Sequence, residues 1–196
     1  DSAGFQRRTH RDRPENKPGE ITVQEFADLA DGGRKLVPYI KAALAETPPA
    51  DVVIVAIVPN GVPAAKALAH ELSCSVLPLV VYRPMAADGS GRVDPVVESR
   101  EDLADLVAGK TVVVVDDAVE TGAVTRAVGA MLRPLCQTLM LAVPICPRDV
   151  SAGLVPLYDE VVAVLRPMVH RALTWHYRIF EPLDEQTAVG MLERAE

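Results

Sequence analysis

The sequence predicts an α/β fold: a parallel sheet covered by helices on both faces, three layers in all, with a small C-terminal subdomain. Three observations predict it. Short β-branched runs alternate with helical patterns from about residue 50 to residue 165. The runs at 52–58 (VVIVAIV) and 111–115 (TVVVV) are continuously apolar, which marks strands buried on both faces. The composition, 49% hydrophobic and 24% charged over 196 residues, is that of one globular domain, which at this size needs no covalent or metal staple to fold.

Each element follows in order. Residues 1–20 carry Arg7, Arg8, Arg11, Arg13 and Lys17, with Phe5 the only large apolar side chain, and predict a poorly ordered tail or an arm for a partner subunit. A core is expected over 21–165. Thr22 to Ala45 predicts a helix interrupted near Asp31-Gly32-Gly33. The strand at 52–58 ends in the turn Pro59-Asn60-Gly61, and Pro63 to Leu72 predicts a helix with proline at its first position, where a missing N–H costs nothing. Val76 to Tyr82 predicts the second strand. The polar stretch 83–110, with two prolines and three glycines, predicts a lid whose later part, Glu101 to Val107, is a short helix. Thr111 to Val115, Leu139 to Ile145 and Glu160 to Leu165 predict strands, and Thr121 to Leu135 a helix between them. Residues 166–196 form the C-terminal subdomain, closed by a helix from Asp184, its N-cap, to Arg194.

Charge and cysteine content narrow the function. The net charge is −7, which speaks against non-specific nucleic-acid binding but leaves room for a small anion held by backbone amides. Cys74, Cys136 and Cys146 are odd in number and widely spaced, which predicts buried free thiols in a reducing cytoplasm, neither a disulfide framework nor a zinc site. No apolar run approaches the ~20 residues that span a bilayer, and the first twenty residues lack the apolar core of a signal peptide.

The segment Val112 to Ala127, VVVVDDAVETGAVTRA, carries the chemistry. It delivers Asp116 and Asp117 to the end of a buried strand, where two adjacent carboxylates are costly unless cations or hydroxyls meet them. Glu120-Thr121-Gly122-Ala123-Val124-Thr125 then turns into a helix, and amides at such a turn cradle a phosphate. Carboxylates beside a phosphate cradle suit a phosphorylated sugar. Three other readings compete: the acidic strand of a P-loop NTPase, for which no G-x-x-x-x-G-K-[ST] exists upstream; a phospho-receiver aspartate pair, which follows a first strand; and simple helix capping. None explains a Thr-Gly turn at this distance.

This segment resembles the phosphoribosyl pyrophosphate (PRPP) motif of type I phosphoribosyltransferases, and the order of elements agrees over about residues 50–165. The resemblance implies a Rossmann-like three-layer fold with a C-terminal hood at 166–196. It implies that Asp116 and Asp117 hold the ribose 2- and 3-hydroxyls and meet Mg²⁺ through PRPP or water. The loop Glu120 to Val124, with Thr121 adding a hydroxyl, would bind the 5-phosphate, and Glu120 would assist proton transfer at the acceptor. Val124 stands where the family usually has Thr, so the hydroxyl arrives one residue late, at Thr125. VAIVPNGVPAAKALAHEL, Val55 to Leu72, is similar to the family's pyrophosphate-loop segment, with Asn60-Gly61 at the turn but without the positive charge some members carry there. Arg83 sits where the family has a basic residue for pyrophosphate, and Arg92 and Arg100 are lid arginines. Asp116, Asp117, Glu120 and Arg83 are thus the expected catalytic set.

The expected activity is Mg²⁺-dependent transfer of ribose 5-phosphate from PRPP to a heterocyclic, purine-like acceptor. Trp175 and Tyr177 in RALTWHYRIFEPL, near His170 and His176, are candidate walls for a flat ring. This stretch is similar to the hood of a group of bacterial phosphoribosyltransferase-like proteins. The alternatives are a non-catalytic PRPP or nucleotide sensor on the same fold, favoured by Val124 and Asn60, and a PRPP-consuming hydrolase. The resemblance also implies a symmetric homodimer.

Overall fold

The computed structural model describes residues 26–85, 91, 93–168 and 172–194. The basic tail at 1–20, Arg92 and His170 lie outside the described residues. Six strands form one sheet: β1 (Val52–Val58), β2 (Ser75–Tyr82), β3 (Val96–Glu98), β4 (Thr111–Val115), β5 (Thr138–Ile145) and β6 (Glu160–Leu165), in the order β3-β2-β1-β4-β5-β6. All neighbours pair in parallel except β3, which runs antiparallel to β2.

The continuous apolar runs are explained by two-sided burial. Alternate residues of β1 and β4 serve opposite faces. Ile54, Ala56 and Val113 pack with Leu36 and Ile40 of α1 (Leu29–Ala43) and Ala64 and Leu68 of α2 (Val62–Leu72). Val55, Val112 and Val114 pack on the other face with Leu103 and Val107 of α3 (Leu103–Val107) and Val128 and Leu132 of α4 (Ala123–Leu132). The short α5 (Arg148–Ala152) follows β5, and α6 (Glu185–Glu193) covers α2, where Lys66 Nζ donates to Met191 O at 2.7 Å. Asp184 caps α6 by accepting from Thr187 N at 2.7 Å.

Three expectations are corrected. The helix α1 starts at Leu29 behind the Asp28 cap and runs unbroken through Gly32 and Gly33. Gly33 faces α2 so closely that a Cβ there would lie 2.2 Å from Ala64 O, so the glycine serves helix contact rather than a break. The stretch 83–110 is not irregular throughout: β3 pairs with β2, and the buried Leu103 and Val107 anchor α3 to the core. The helix after the Glu120–Gly122 turn begins at Ala123 and ends at Leu132, not at Thr121 and Leu135.

The topology fixes where a ligand goes. The chain crosses from β1 to β2 on one side, then returns past β1 to β4 on the other, so β1 and β4 are neighbours with diverging connections. In such sheets the crevice opens at the carboxyl ends of that strand pair. There the register Ala56↔Val115 places the Pro59-Asn60-Gly61 turn beside Asp116-Asp117.

Candidate functional site

The turn after β1 touches the acids after β4 directly. A Cβ on Gly61 would lie 2.6 Å from Ile57 O, 2.6 Å from Val115 O and 3.0 Å from Asp116 Cα. Only a residue without a side chain lets these two strand-end loops meet. The peptide bond Val58-Pro59 is cis. Asn60 does not simply extend from the turn. Its Oδ1 accepts from Leu183 N at 3.0 Å, which leaves its amide N–H groups as the donors at this loop.

Asp116 and Asp117 are buried, 9% and 7% exposed. Their carboxylates are held by the backbone that follows them: Asp117 N donates to Asp116 Oδ1 at 2.8 Å, and Ala118 N to Asp117 Oδ1 at 2.9 Å. Burial first, then the charge of Asp117, pushes Asp116 well above the usual carboxylate range. Burial raises Asp117 as well, against the opposing hydrogen bonds from Asp116 and the Ala118 N–H. Both shifts oppose full ionisation of the ligand-free pair, and hydroxyls or a cation at the pair would favour the charged form.

The loop beyond the acids is anchored from below. Ala118 and Val119 are buried, and Val119 N donates to Ile145 O at 2.8 Å. Gly122 adopts φ 78° as the N-cap of α4, a conformation that favours glycine. No side chain caps α4 at that residue, and Thr121 Oγ1 offers only a long 3.4 Å contact to Ala123 N, so the first-turn amides remain for an anion. Glu120 and Thr121 are exposed beside them. The structure places Thr125 differently from the sequence expectation. It is 1% exposed and its Oγ1 donates to Gly122 O at 3.0 Å, so its hydroxyl is committed to the helix turn and does not replace the one missing at Val124. Arg126, which the sequence reading did not single out, folds over the loop and donates from its guanidinium to Thr121 O at 2.9 Å.

The remaining candidates separate. Arg83 leaves the end of β2, half-buried, on the strand adjoining β1. Arg100 is turned to Asp102, with Arg100 Nη2 donating to Asp102 Oδ2 at 2.9 Å. Trp175 is 48% exposed. Tyr177 is not: it is 1% exposed, packed between Phe26 and Phe180 with ring centroids 5.3 and 5.6 Å away, and its hydroxyl donates to Asp117 O at 2.6 Å. The apolar cluster of Phe26, Leu29, Ala118, Ile145 and Tyr177 therefore supports the acid pair from beneath. Tyr158, also missed, donates to Thr125 O at 2.6 Å from the other side of the loop. Neither tie has a local sequence signal, because the partners lie 60 and 33 residues apart.

A divalent cation can be tested against this donor set. Among the described residues no group of three or more His, Cys, Asp or Glu side chains could hold a metal. Two hard carboxylates without further protein ligands fit Mg²⁺ in its common mode, one or two carboxylates completed by substrate oxygens and water.

The fold is that of an α/β domain of the type I phosphoribosyltransferase architecture. The phosphoribosyl transferase domain family matches residues 32–165, and the chain belongs to that family. Two Mycobacterium tuberculosis proteins named as candidate phosphoribosyl transferases are 34% identical over 90 residues, 45% of this chain and 20% of theirs, so the matched part is about a fifth of those relatives' length. A Thermus thermophilus protein superposes with a TM-score of 0.67 at 19% identity, covering 86% of this chain and 97% of that one. A Neisseria gonorrhoeae protein with bound ppGpp superposes with a TM-score of 0.61 at 14% identity, covering 89% and 98%. A purine phosphoribosyltransferase from Pyrococcus horikoshii gives 0.54 at 22% identity, covering 81% and 97%. These likenesses establish the fold. No helix among the described residues is long and apolar enough to cross a membrane.

Proposed function

We propose that the protein transfers the ribose 5-phosphate of PRPP to a nitrogenous, purine-like heterocycle and releases pyrophosphate. The observation that carries the reading is the contact of Gly61 with Asp116 at the β1/β4 switch point, one turn away from the uncapped start of α4. It brings together the three kinds of group that PRPP needs. Asp116 and Asp117 accept hydrogen bonds from the ribose hydroxyls. The amides of Thr121 to Val124 receive the 5-phosphate. The Gly61 turn and the Asn60 amide would face the diphosphate, with Arg83 available from the end of the neighbouring strand. Asp116 and Asp117 would hold Mg²⁺ through PRPP or water, and when bound it neutralises charge developing on the departing diphosphate.

The chain's own work is positional. Holding the ribose by its diol and its phosphate fixes the anomeric carbon against the acceptor nitrogen. As the C1–O bond to diphosphate breaks with its electron pair, the acceptor nitrogen forms the C1–N bond across an oxocarbenium-like state. Glu120, exposed on the loop, takes the proton released from the acceptor nitrogen, and Trp175 offers a face for the ring. A reducing cytoplasm and a symmetric dimer accompany this reading.

The test is calorimetric titration of PRPP with Mg²⁺ into the wild type and into Asp116→Asn/Asp117→Asn, followed by a pyrophosphate-release screen over heterocycles. Binding that disappears in the double variant, with turnover for at least one acceptor, supports the transferase. Absence of binding by the folded wild type refutes it. A second reading, a non-catalytic PRPP or nucleotide sensor, is favoured by the commitment of Asn60 Oδ1 to Leu183 and of Thr125 Oγ1 to Gly122. Binding without turnover across the screen selects it.

A further inference from the structure

We propose that Tyr177 is a positioning residue for the acid pair, fixing the Asp117–Ala118 peptide and, through it, the direction of the Asp117 carboxylate. The C-terminal subdomain is then a working part of the sugar site rather than a cover over the acceptor alone. The proposal rests on the reading of Asp116 and Asp117 as the ribose-diol site.

One peptide plane carries the argument. Its oxygen, Asp117 O, accepts from the Tyr177 hydroxyl at 2.6 Å. Its nitrogen, Ala118 N, donates to the Asp117 carboxylate at 2.9 Å. Rotation of this peptide would break both bonds together, so holding its oxygen holds the carboxylate. The preceding peptide extends the chain, since Asp117 N donates to Asp116 Oδ1 at 2.8 Å. The donor is unambiguous, because a backbone carbonyl can only accept. Burial raises the phenol above its ordinary value, so it keeps its proton throughout the working pH range.

The hydroxyl is itself held in place from several sides. Tyr177 forms a bridge with Phe26: Phe26 N donates to His176 O and Arg178 N to Phe26 O, each at 2.8 Å. Ile179 N adds a bond to Ala27 O at 3.0 Å. Phe26 and Phe180 flank the ring. Gly32 makes room at its tip, where a Cβ would lie 3.3 Å from the hydroxyl and 2.7 Å from Pro144 Cγ. A side chain so constrained transmits position rather than merely filling space.

The test compares ribose 5-phosphate with 2,3-dideoxyribose 5-phosphate by calorimetric titration. Their affinity ratio reads the diol contacts alone, since both carry the phosphate. For Tyr177→Phe the ratio falls about fivefold to tenfold while the dideoxy ligand binds as to wild type, the effect of losing one buried hydrogen bond. Tyr158→Phe is the control: it loses an equally short phenol-to-carbonyl bond at the other end of the loop and keeps the wild-type ratio. A wild-type ratio in Tyr177→Phe, or equal weakening of both ligands, overturns the positioning role and leaves the diol reading standing. A wild type that does not distinguish the two ligands overturns the diol reading and this proposal with it. Should Tyr177→Phe fail to fold, Gly32→Ala crowds Pro144 and the seat of the hydroxyl with the ring retained, and the same outcomes decide.

Discussion

Replacing Gly61 by Ala tests the join between the two strand-end loops most directly. The backbone at Gly61 has φ −71° and ψ −17°, which alanine adopts freely, so no conformational strain enters. The cost is steric. The added Cβ would sit 2.6 Å from two carbonyl oxygens, Ile57 O in β1 and Val115 O in β4, and 3.0 Å from Asp116 Cα. All three are backbone atoms of the sheet or its exit, and none can swing aside as a side chain would. Overpacking of this kind costs ~1–3 kcal/mol, and rigid neighbours put it near the upper end. Loss of glycine's freedom in the unfolded chain offsets ~0.4–1 kcal/mol, which leaves a net destabilisation of about 2 kcal/mol. For a domain of this size that lowers the melting temperature by roughly 4–8 °C. The relaxation must part β1 from Asp116, so PRPP affinity falls further than stability alone accounts for, and a misplacement near 1 Å costs on the order of 10²-fold in rate. Urea unfolding and PRPP titration measure both. Gly190→Ala supplies the internal control, because a Cβ there meets nothing within 4 Å inside α6, and the change stabilises by up to ~1 kcal/mol. A Gly61→Ala protein within ~0.5 kcal/mol of wild type, binding PRPP as wild type does, would refute the reasoning.

Three further predictions follow from the same geometry. Asp116→Asn preserves the acceptor for Asp117 N but removes a buried charge whose folded pKa is raised, first by burial. Stability held against a raised carboxylate pKa is lost as pH climbs above the unfolded value of ~3.9, so the ligand-free variant melts above wild type at pH 7 and converges with it in acid, while PRPP binding is lost. Melting curves from pH 4 to 8 check this, and a variant less stable than wild type at pH 7 contradicts it. Asn60→Asp keeps an oxygen for Leu183 N but sets a negative charge at the turn facing the diphosphate. Stability stays within ~0.5 kcal/mol while PRPP affinity falls tenfold or more, an outcome read by pairing thermal melts with titration. Tyr158→Phe removes the bond to Thr125 O and lowers stability by ~1 kcal/mol in urea unfolding, with an unchanged value refuting the tie.

The parts of the fold legible in the sequence were those with two-sided burial. A strand that must be apolar at every position announces its own limits, and β1 and β4 lie where the sequence placed them, as does the partly buried edge strand β6. The acid pair and Gly61 were legible because strand-end chemistry is local. The glycines of α1 were misread for a physical reason: local propensity treats Gly32 and Gly33 as breakers, whereas contacts with Pro144 and Ala64 use the missing Cβ. The edge strand β3 was missed because three residues carry too little periodicity, and α5 because it buries no residue and leaves no apolar stripe. Thr125 and Tyr177 were assigned by residue type, a hydroxyl for a phosphate and a ring for a ring. Their actual partners, Gly122 O and Asp117 O, depend on the helix turn and on a contact 60 residues away.

The same long-range ties bear on where the working unit ends. The family match stops at residue 165, and the strand ends that carry the acids and the Gly61 turn lie inside it. Yet each of those two loops takes a hydrogen bond from beyond that limit: Asp117 O from Tyr177, and Asn60 Oδ1 from Leu183 N. Between these two contacts the chain runs from the cluster beneath Ala118 to the cap of α6, and α6 is fastened to α2 by Lys66. A segment bonded to both loops constrains their separation, which on the proposed reading is the distance a sugar diphosphate spans. On the same reading these two bonds help preset the spacing between the diol site and the diphosphate turn, so that less of it has to be ordered when the ligand arrives.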